Sequence, residues 1–246
     1  MQTTVMAPSG FRETRWSLVA RAASPAEPAA RAALEELCRL YWQPLRAFAC
    51  RSGLSAADAE DATQSFLAEF VLRERFAVAD PQRGRLRSFL CSAFKNHLHD
   101  RHRREQALRR GGGQTHVSID ASPDDDTAPL DPADPHDPAR EFNRAWALAA
   151  MEAALARLDA ELVARGKPGT LEPYRAFLGL EAGGNEDYAA AAIALGRSEG
   201  AVRVSVCRLR KEFRDALFAT IADTLVEPTE AGIRAEVRAL IEALAG

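Results

Sequence analysis

The chain has 246 residues, room for one large domain or two small ones, and 47% apolar types to build a core from. Its 32 basic and 35 acidic residues give a net charge of −3, a total that speaks against a protein devoted to holding a polyanion. No stretch reaches the roughly 18 to 20 uncharged apolar residues that span a membrane, Met1 to Phe11 lacks the pattern of a signal peptide, and Cys38, Cys50, Cys91 and Cys207 form no CxxC pair, so a cytoplasmic protein with reduced thiols is expected.

In chain order, Arg15-Trp16-Ser17-Leu18-Val19 predicts a short first helix. From Ala29 to Arg51, Leu34, Leu37, Cys38, Tyr41, Leu45, Phe48 and Ala49 recur in steps of three and four, the pattern of an amphipathic helix. Gly53 is placed to stop it. Ser55 starts the next, with Asp58 three residues on as a capping-box-like acid. Ala62, Phe66, Leu67, Phe70 and Val71 form its apolar stripe. Pro81 and Gly84 mark a loop, after which Leu86 to Leu108 predicts a helix with Phe89, Leu90, Ala93, Phe94 and Leu98 inward. Arg73 to Arg110 holds eleven basic residues and four acids, a balance of +7.

Gly111 to Pro138 then reads GGGQTHVSIDASPDDDTAPLDPADPHDP. Ser118 to Phe142 carries eight acids against Arg140, a balance of −7. A structureless loop of this length does not suit the inside of a compact domain. As a tether it is natural, extended by proline and by like charge. The chain therefore divides into a first domain over 1–110, a flexible acidic linker over 111–140, a second domain over 141–225 and a C-terminal extension over 226–246. Fully extended, the tether reaches about 90–100 Å, more than the roughly 70 Å of two DNA turns.

Ala145 to Ala164 predicts an amphipathic helix and Leu171 to Leu180 a shorter one. The segment Asp187 to Lys211 has the grammar of a helix-turn-helix. Gly196 permits a left-handed cap, Ser198 can cap the following helix, and Ala189 to Ala192 keep the first helix thin. In the second helix Val202, Val206, Leu209 and Phe213 fall on one side, and Arg203, Val204, Cys207, Arg208, Arg210, Lys211 and Arg214 spread over the other. Arg197 to Arg214 is +4. Such a helix suits a major groove, where arginine can hold guanine through two hydrogen bonds. The tail, Thr224 to Gly246, predicts a further amphipathic helix through Ile233, Val237, Leu240, Ile241 and Leu244. No convincing strand pattern appears. The expected fold class is all-α: two small helical domains joined by a long acidic Pro-rich linker, the second with a helix-turn-helix.

Taken together, these blocks make the chain resemble a bacterial RNA polymerase sigma factor of the extracytoplasmic-function (ECF) type, which keeps only domains 2 and 4. The resemblance covers roughly Glu27 to Leu225. Asp58-Ala-Glu60-Asp61-Ala-Thr-Gln64-Ser-Phe66 looks like the acidic segment that binds a coiled coil of the largest polymerase subunit. It implies polymerase contacts at Asp58, Asp61 and Gln64. Asp80 to Leu90 and Lys95 to Arg104 look like the element that reads and melts the promoter −10 region. They imply contacts at Arg83, Arg85, Arg87, Lys95, Asn96, His99, Arg103 and Arg104. Phe76 and Phe89 either meet bases or fill the core, with the core favoured. Ser198 to Arg203 and Arg208 to Arg210 look like the −35 helix, with contacts implied at Ser198, Arg203, Ser205, Cys207, Arg208, Arg210 and Lys211. The chain departs from the family pattern in two places. Ala164 to Glu186 is longer and broken by Pro168, Pro173 and Gly183-Gly184, and Val204 stands where a small polar residue is often found.

The implied function is promoter-specific transcription initiation with core RNA polymerase and promoter DNA as partners. The alternatives are a helix-turn-helix DNA-binding regulator without a sigma role and a helical interaction module without DNA. An anti-sigma factor or a protein kinase would be a further partner. Thr63, among Asp58, Glu60 and Asp61, is a candidate phosphosite that would gain about −1.5 to −2 charge; the alternative is a buried threonine. His97, His99 and His102 point in divergent directions, so no metal is expected. Gly111-Gly112-Gly113 lacks the Lys-Ser/Thr of a P-loop. No cofactor, no catalysis and no membrane are expected.

Overall fold

The structure, a computed structural model, describes residues 28–72, 86–109, 137–178, 187–225 and 228–245. The expected short helix at Arg15 to Val19, the loop with Phe76, Arg83 and Arg85, the tether up to residue 136, and Gly183-Gly184 lie outside the described residues. The described chain is all-α, as the sequence implies. Its helices are α1 (Pro28–Arg51), α2 (Ala56–Leu72), α3 (Leu86–Arg109), α4 (Pro138–Ala164), a 3₁₀ helix (Glu172–Leu178), α5 (Tyr188–Leu195), α6 (Glu199–Ala222) and α7 (Glu230–Ala245).

The helix ends follow local chemistry. Gly53 takes φ +96 and closes α1, with Ser52 N–H donating to Phe48 O at 2.9 Å. The Ser55 hydroxyl accepts from Asp58 N–H at 3.2 Å and donates to its carboxylate at 2.6 Å, which starts α2. α4 begins at Pro138, seven residues ahead of the Ala145 start in the sequence reading. Proline fits a first helical position, and the Asp137 carboxylate accepts from Ala139 N–H at 2.9 Å. The predicted helix at Leu171 to Leu180 is a 3₁₀ helix. Pro173 removes an N–H in its first turn, and the chain tightens to a Tyr174 N–H to Leu171 O bond of 3.0 Å.

Contacts divide the described chain into two compact units: residues 38–149 with 240–245, and residues 28–37 with 150–239. Residues 138–149 of α4 count with the first unit, although from sequence the second domain is expected to start at 141. The first unit has an aromatic centre. Phe94 meets Phe48 edge-on at 5.9 Å and Phe66 at 5.0 Å, and Phe70 meets Phe66 at 5.4 Å and Phe89 at 5.8 Å. Phe89 thus belongs to the packing. The beginning of α4 is tied in by Arg87, whose guanidinium lies 4.9 Å from the Trp146 ring centre and donates to the Asn143 side chain. Cys91 is close enough to the start of α4 to feel Asp137. Burial, with that carboxylate, pushes its thiol up to about 12 against the opposing Lys95 and Arg87.

The second unit buries Leu155, Leu158 and Leu162 of α4, Tyr174 and Phe177 of the 3₁₀ helix, and Val202, Val206, Leu209 and Phe213 of α6. Arg157 of α4 donates to Asp223, just past α6, at 2.8 Å, and Arg165 to Glu212 at 3.0 Å. In α7, Leu240 is buried but Ile241 is 59% exposed. At about 100° per residue Ile241 sits on the edge of the stripe formed by Ile233, Val237, Leu240 and Leu244.

Candidate nucleic-acid interface

The sequence from Asp187 to Ala222 folds as a helix, a tight turn and a second helix. Asp187 accepts from Ala190 N–H at 2.9 Å and starts α5. Gly196 takes the left-handed conformation (φ 60, ψ 34) and its N–H reaches back to the Ala192 and Ile193 carbonyls. Ser198 then accepts from Ala201 N–H at 3.3 Å and starts α6. Both caps stand where the sequence puts them. Three arginines brace this unit from its surface. Arg197 reaches the Tyr174 hydroxyl at 3.3 Å and Ser205 at 3.4 Å. Arg210 donates to Phe177 O at 3.0 Å. Arg203 lies 4.2 Å over the Tyr188 ring and donates to Glu199 at 2.6 Å.

The outer face of α6 carries Arg203, Cys207, Arg208, Arg210 and Lys211, all exposed. Arg214 stands with them. Ser205 does not. It is 9% exposed, and its hydroxyl donates to Ala201 O at 2.9 Å, so it faces the interior. Ser198 is occupied as the cap. The Arg203 guanidinium, stacked on Tyr188, gives both Nε and Nη2 to Glu199 Oε1, at 3.1 and 2.6 Å.

In the first unit, Lys95, Asn96, His99, Arg103 and Arg104 of α3 are exposed. At about 100° per residue, Lys95, Asn96, His99 and Arg103 share a sector, and Arg104 lies off it. Arg103 is paired with Asp100 at 2.5 Å. Arg87 stands apart. It is 9% exposed and committed to Trp146 and Asn143, so it offers no phosphate contact. Asp58, Asp61 and Gln64 are exposed on α2. Thr63 is fully buried and donates to Ala59 O at 2.8 Å, which leaves no hydroxyl for a kinase.

Arg101 joins the acidic start of α2 to the basic helix α3. It donates to Asp61 at 2.8 Å and to Glu105 at 3.0 Å, and lies 3.8 Å from Asp58. Local sequence does not mark Arg101, because its partners on α2 lie some forty residues away. Tyr188 beneath Arg203 is another such residue. No local pattern announces either pair.

His97 also sits between α2 and α3. Its Nε2 is 3.2 Å from the Ser65 hydroxyl, its Nδ1 3.6 Å from Glu69, and its ring stacks on Phe94. Burial holds its pKa below the usual 6.5. Arg104 and Arg101 act with burial, and Glu69 and Asp100 act against it. Below 6.5 the unfolded chain therefore binds more protons at this site than the folded chain does. The first unit is expected to lose thermal stability as pH falls from 6.5 toward the lowered value, and to show no dependence on this group above 6.5. Melting curves across this range check it. A His97→Gln variant should show a shallower slope.

A model of the ECF sigma factor family matches residues 29–182. The chain belongs to the ECF sigma factor family. A sigma-type role in transcription initiation follows from that membership, in a class of regulatory proteins and not of enzymes. The match takes in α1 to α4 and the 3₁₀ helix and stops short of Asp187, so α5 and α6 rest on their own geometry. No curated protein and no solved structure matches the chain. No described helix of this ECF family member is long and apolar enough to cross a membrane.

Proposed function

We propose that this ECF sigma factor binds core RNA polymerase through the acidic face of α2 and directs initiation at specific promoters, in the cytoplasm. In this reading Asp58, Asp61 and Gln64 meet a basic surface of the polymerase. Lys95, Asn96, His99, Arg103 and Arg104 of α3, with Arg83 and Arg85 ahead of it, hold the opened −10 region. Capturing unpaired bases there costs a few kcal/mol, which contacts to phosphates and bases offset. Arg203, Cys207, Arg208, Arg210 and Lys211 of α6 enter the major groove at −35, with Ser198 as the cap that starts the helix.

The observation that carries the reading is the two-sidedness of α6. Val202, Val206, Leu209 and Phe213 are buried, while the arginines and lysine between them are exposed, on a helix capped at its start by Ser198. A second reading, a DNA-binding regulator without a sigma role, needs the same α6 but no acidic surface on α2. Titration of labelled core polymerase separates them. Wild type is expected to bind, and Asp58→Lys with Asp61→Lys to bind at least 10-fold more weakly with its helical content intact. If wild type ignores core polymerase yet holds DNA, the regulator reading replaces this one.

A further inference from the structure

The outward face of α6 is not uniformly polar. Val204 is 71% exposed in the middle of the basic residues. Gly200, one turn earlier, is exposed as well. At about 100° per residue the two lie within roughly 40° of each other. Arg208 and Lys211 fall beside Val204, with Arg203 to one side. The result is a low apolar strip with cations around it, in the first turns of the helix.

The fold asks for neither residue. Val204 gives up no burial to an internal partner. A Cβ added at Gly200 would meet nothing within 4 Å, and its backbone is ordinary helix. Glycine is the poorest helix former after proline, so its presence costs helix stability without any internal return. Both features are explained by an outside surface that approaches the backbone closely and is apolar where it touches. The first turns of a recognition helix face base edges in the major groove. Among the four bases only thymine presents a methyl group there.

We infer that Val204 is a specificity-determining residue that reads the 5-methyl group of a thymine, with Gly200 letting the base edge approach the helix. The inference rests on the proposed role of α6 at the −35 element. The flanking Arg208 and Lys211 supply phosphate and base contacts that hold the helix in register. Val204 supplies discrimination at one base pair.

The test uses the full chain combined with core RNA polymerase. Preferred duplexes are first selected from a random pool. Each thymine of the upstream element is then replaced singly by uracil, which removes only the methyl group. One such replacement is expected to weaken binding about 4-fold, the worth of one buried methyl-sized group. The Val204→Ala protein is expected to bind the thymine and uracil duplexes equally. Gly200→Ala should weaken binding to both while raising the melting temperature of the free protein. Selection of a preferred sequence with no sensitivity to uracil at any position overturns the role of Val204 and leaves the −35 role of α6 standing. A pool that yields no preferred sequence overturns both.

Discussion

Trp146→Ala is expected to destabilise the first unit by about 3–5 kcal/mol, the usual cost of emptying a buried tryptophan site. The indole is 1% exposed, and the Arg87 guanidinium lies against its face. Removing the ring leaves a cavity and a largely buried cation without its aromatic partner. A cation over an indole contributes up to about 2 kcal/mol when water is excluded, and this overlaps with the packing loss. Against a typical total of about 5–15 kcal/mol, the change brings the unit close to unfolding. Urea titration followed by far-ultraviolet circular dichroism measures it. Trp146→Phe should recover much of the loss, because it restores apolar area. A loss under 1 kcal/mol for the alanine variant would mean that residues 138–149 contribute little to this unit.

Arg208→Glu combined with Lys211→Glu is expected to remove binding at the upstream promoter element while leaving polymerase affinity within about 2-fold. A side chain that holds a base or phosphate contributes about 1–3 kcal/mol, so removing two costs about 2–6 kcal/mol, or roughly 30-fold to 10⁴-fold. Both side chains are exposed, and Arg208 is only loosely paired with Glu212 at 4.0 Å, so the fold is little disturbed. The salt dependence should fall as well, by a slope of about one for each phosphate no longer neutralised. Binding isotherms at several salt concentrations report both quantities. Unchanged binding would move the DNA surface elsewhere on the molecule.

Much of this architecture is legible in the sequence because helices announce themselves locally. The apolar steps of α1 and α2, the stop at Gly53, the turn at Gly196 and the cap at Ser198 need only neighbours a few residues away. The resemblance puts Arg87 and Ser205 on DNA and the acidic surroundings make Thr63 a candidate phosphosite, yet all three turn inward, and register is the signal that could have found this. Arg87 keeps step with Leu90, Phe94 and Leu98; Ser205 with Val202 and Leu209; Thr63 with Ala59, Ala62, Phe66 and Phe70. Each is buried beside those neighbours. A charge or hydroxyl in a core register is a packing residue unless something else removes it from the core. By contrast, Arg101 with Asp61 and Arg203 with Tyr188 join helices through tertiary contacts, which no window along the chain reveals. The early start of α4 is masked by composition. Proline and aspartate read as linker, yet Asp137 and Pro138 are also a good helix opening.

The −3 total conceals a division of charge: an acidic surface on α2, a basic α3, an acidic stretch of sequence from Ser118 to Phe142 and a basic α6. That division is the core of the proposed sigma role, and run-off transcription tests it most directly. Purified core polymerase, a mixed library of promoter fragments and the full chain are combined, and the transcripts are sequenced. Discrete start sites are expected that appear only with the protein, share an upstream element, and vanish with either the Asp58/Asp61 or the Arg208/Lys211 reversal. Core polymerase that binds the protein and the DNA yet initiates no more specifically than core alone would contradict the sigma role.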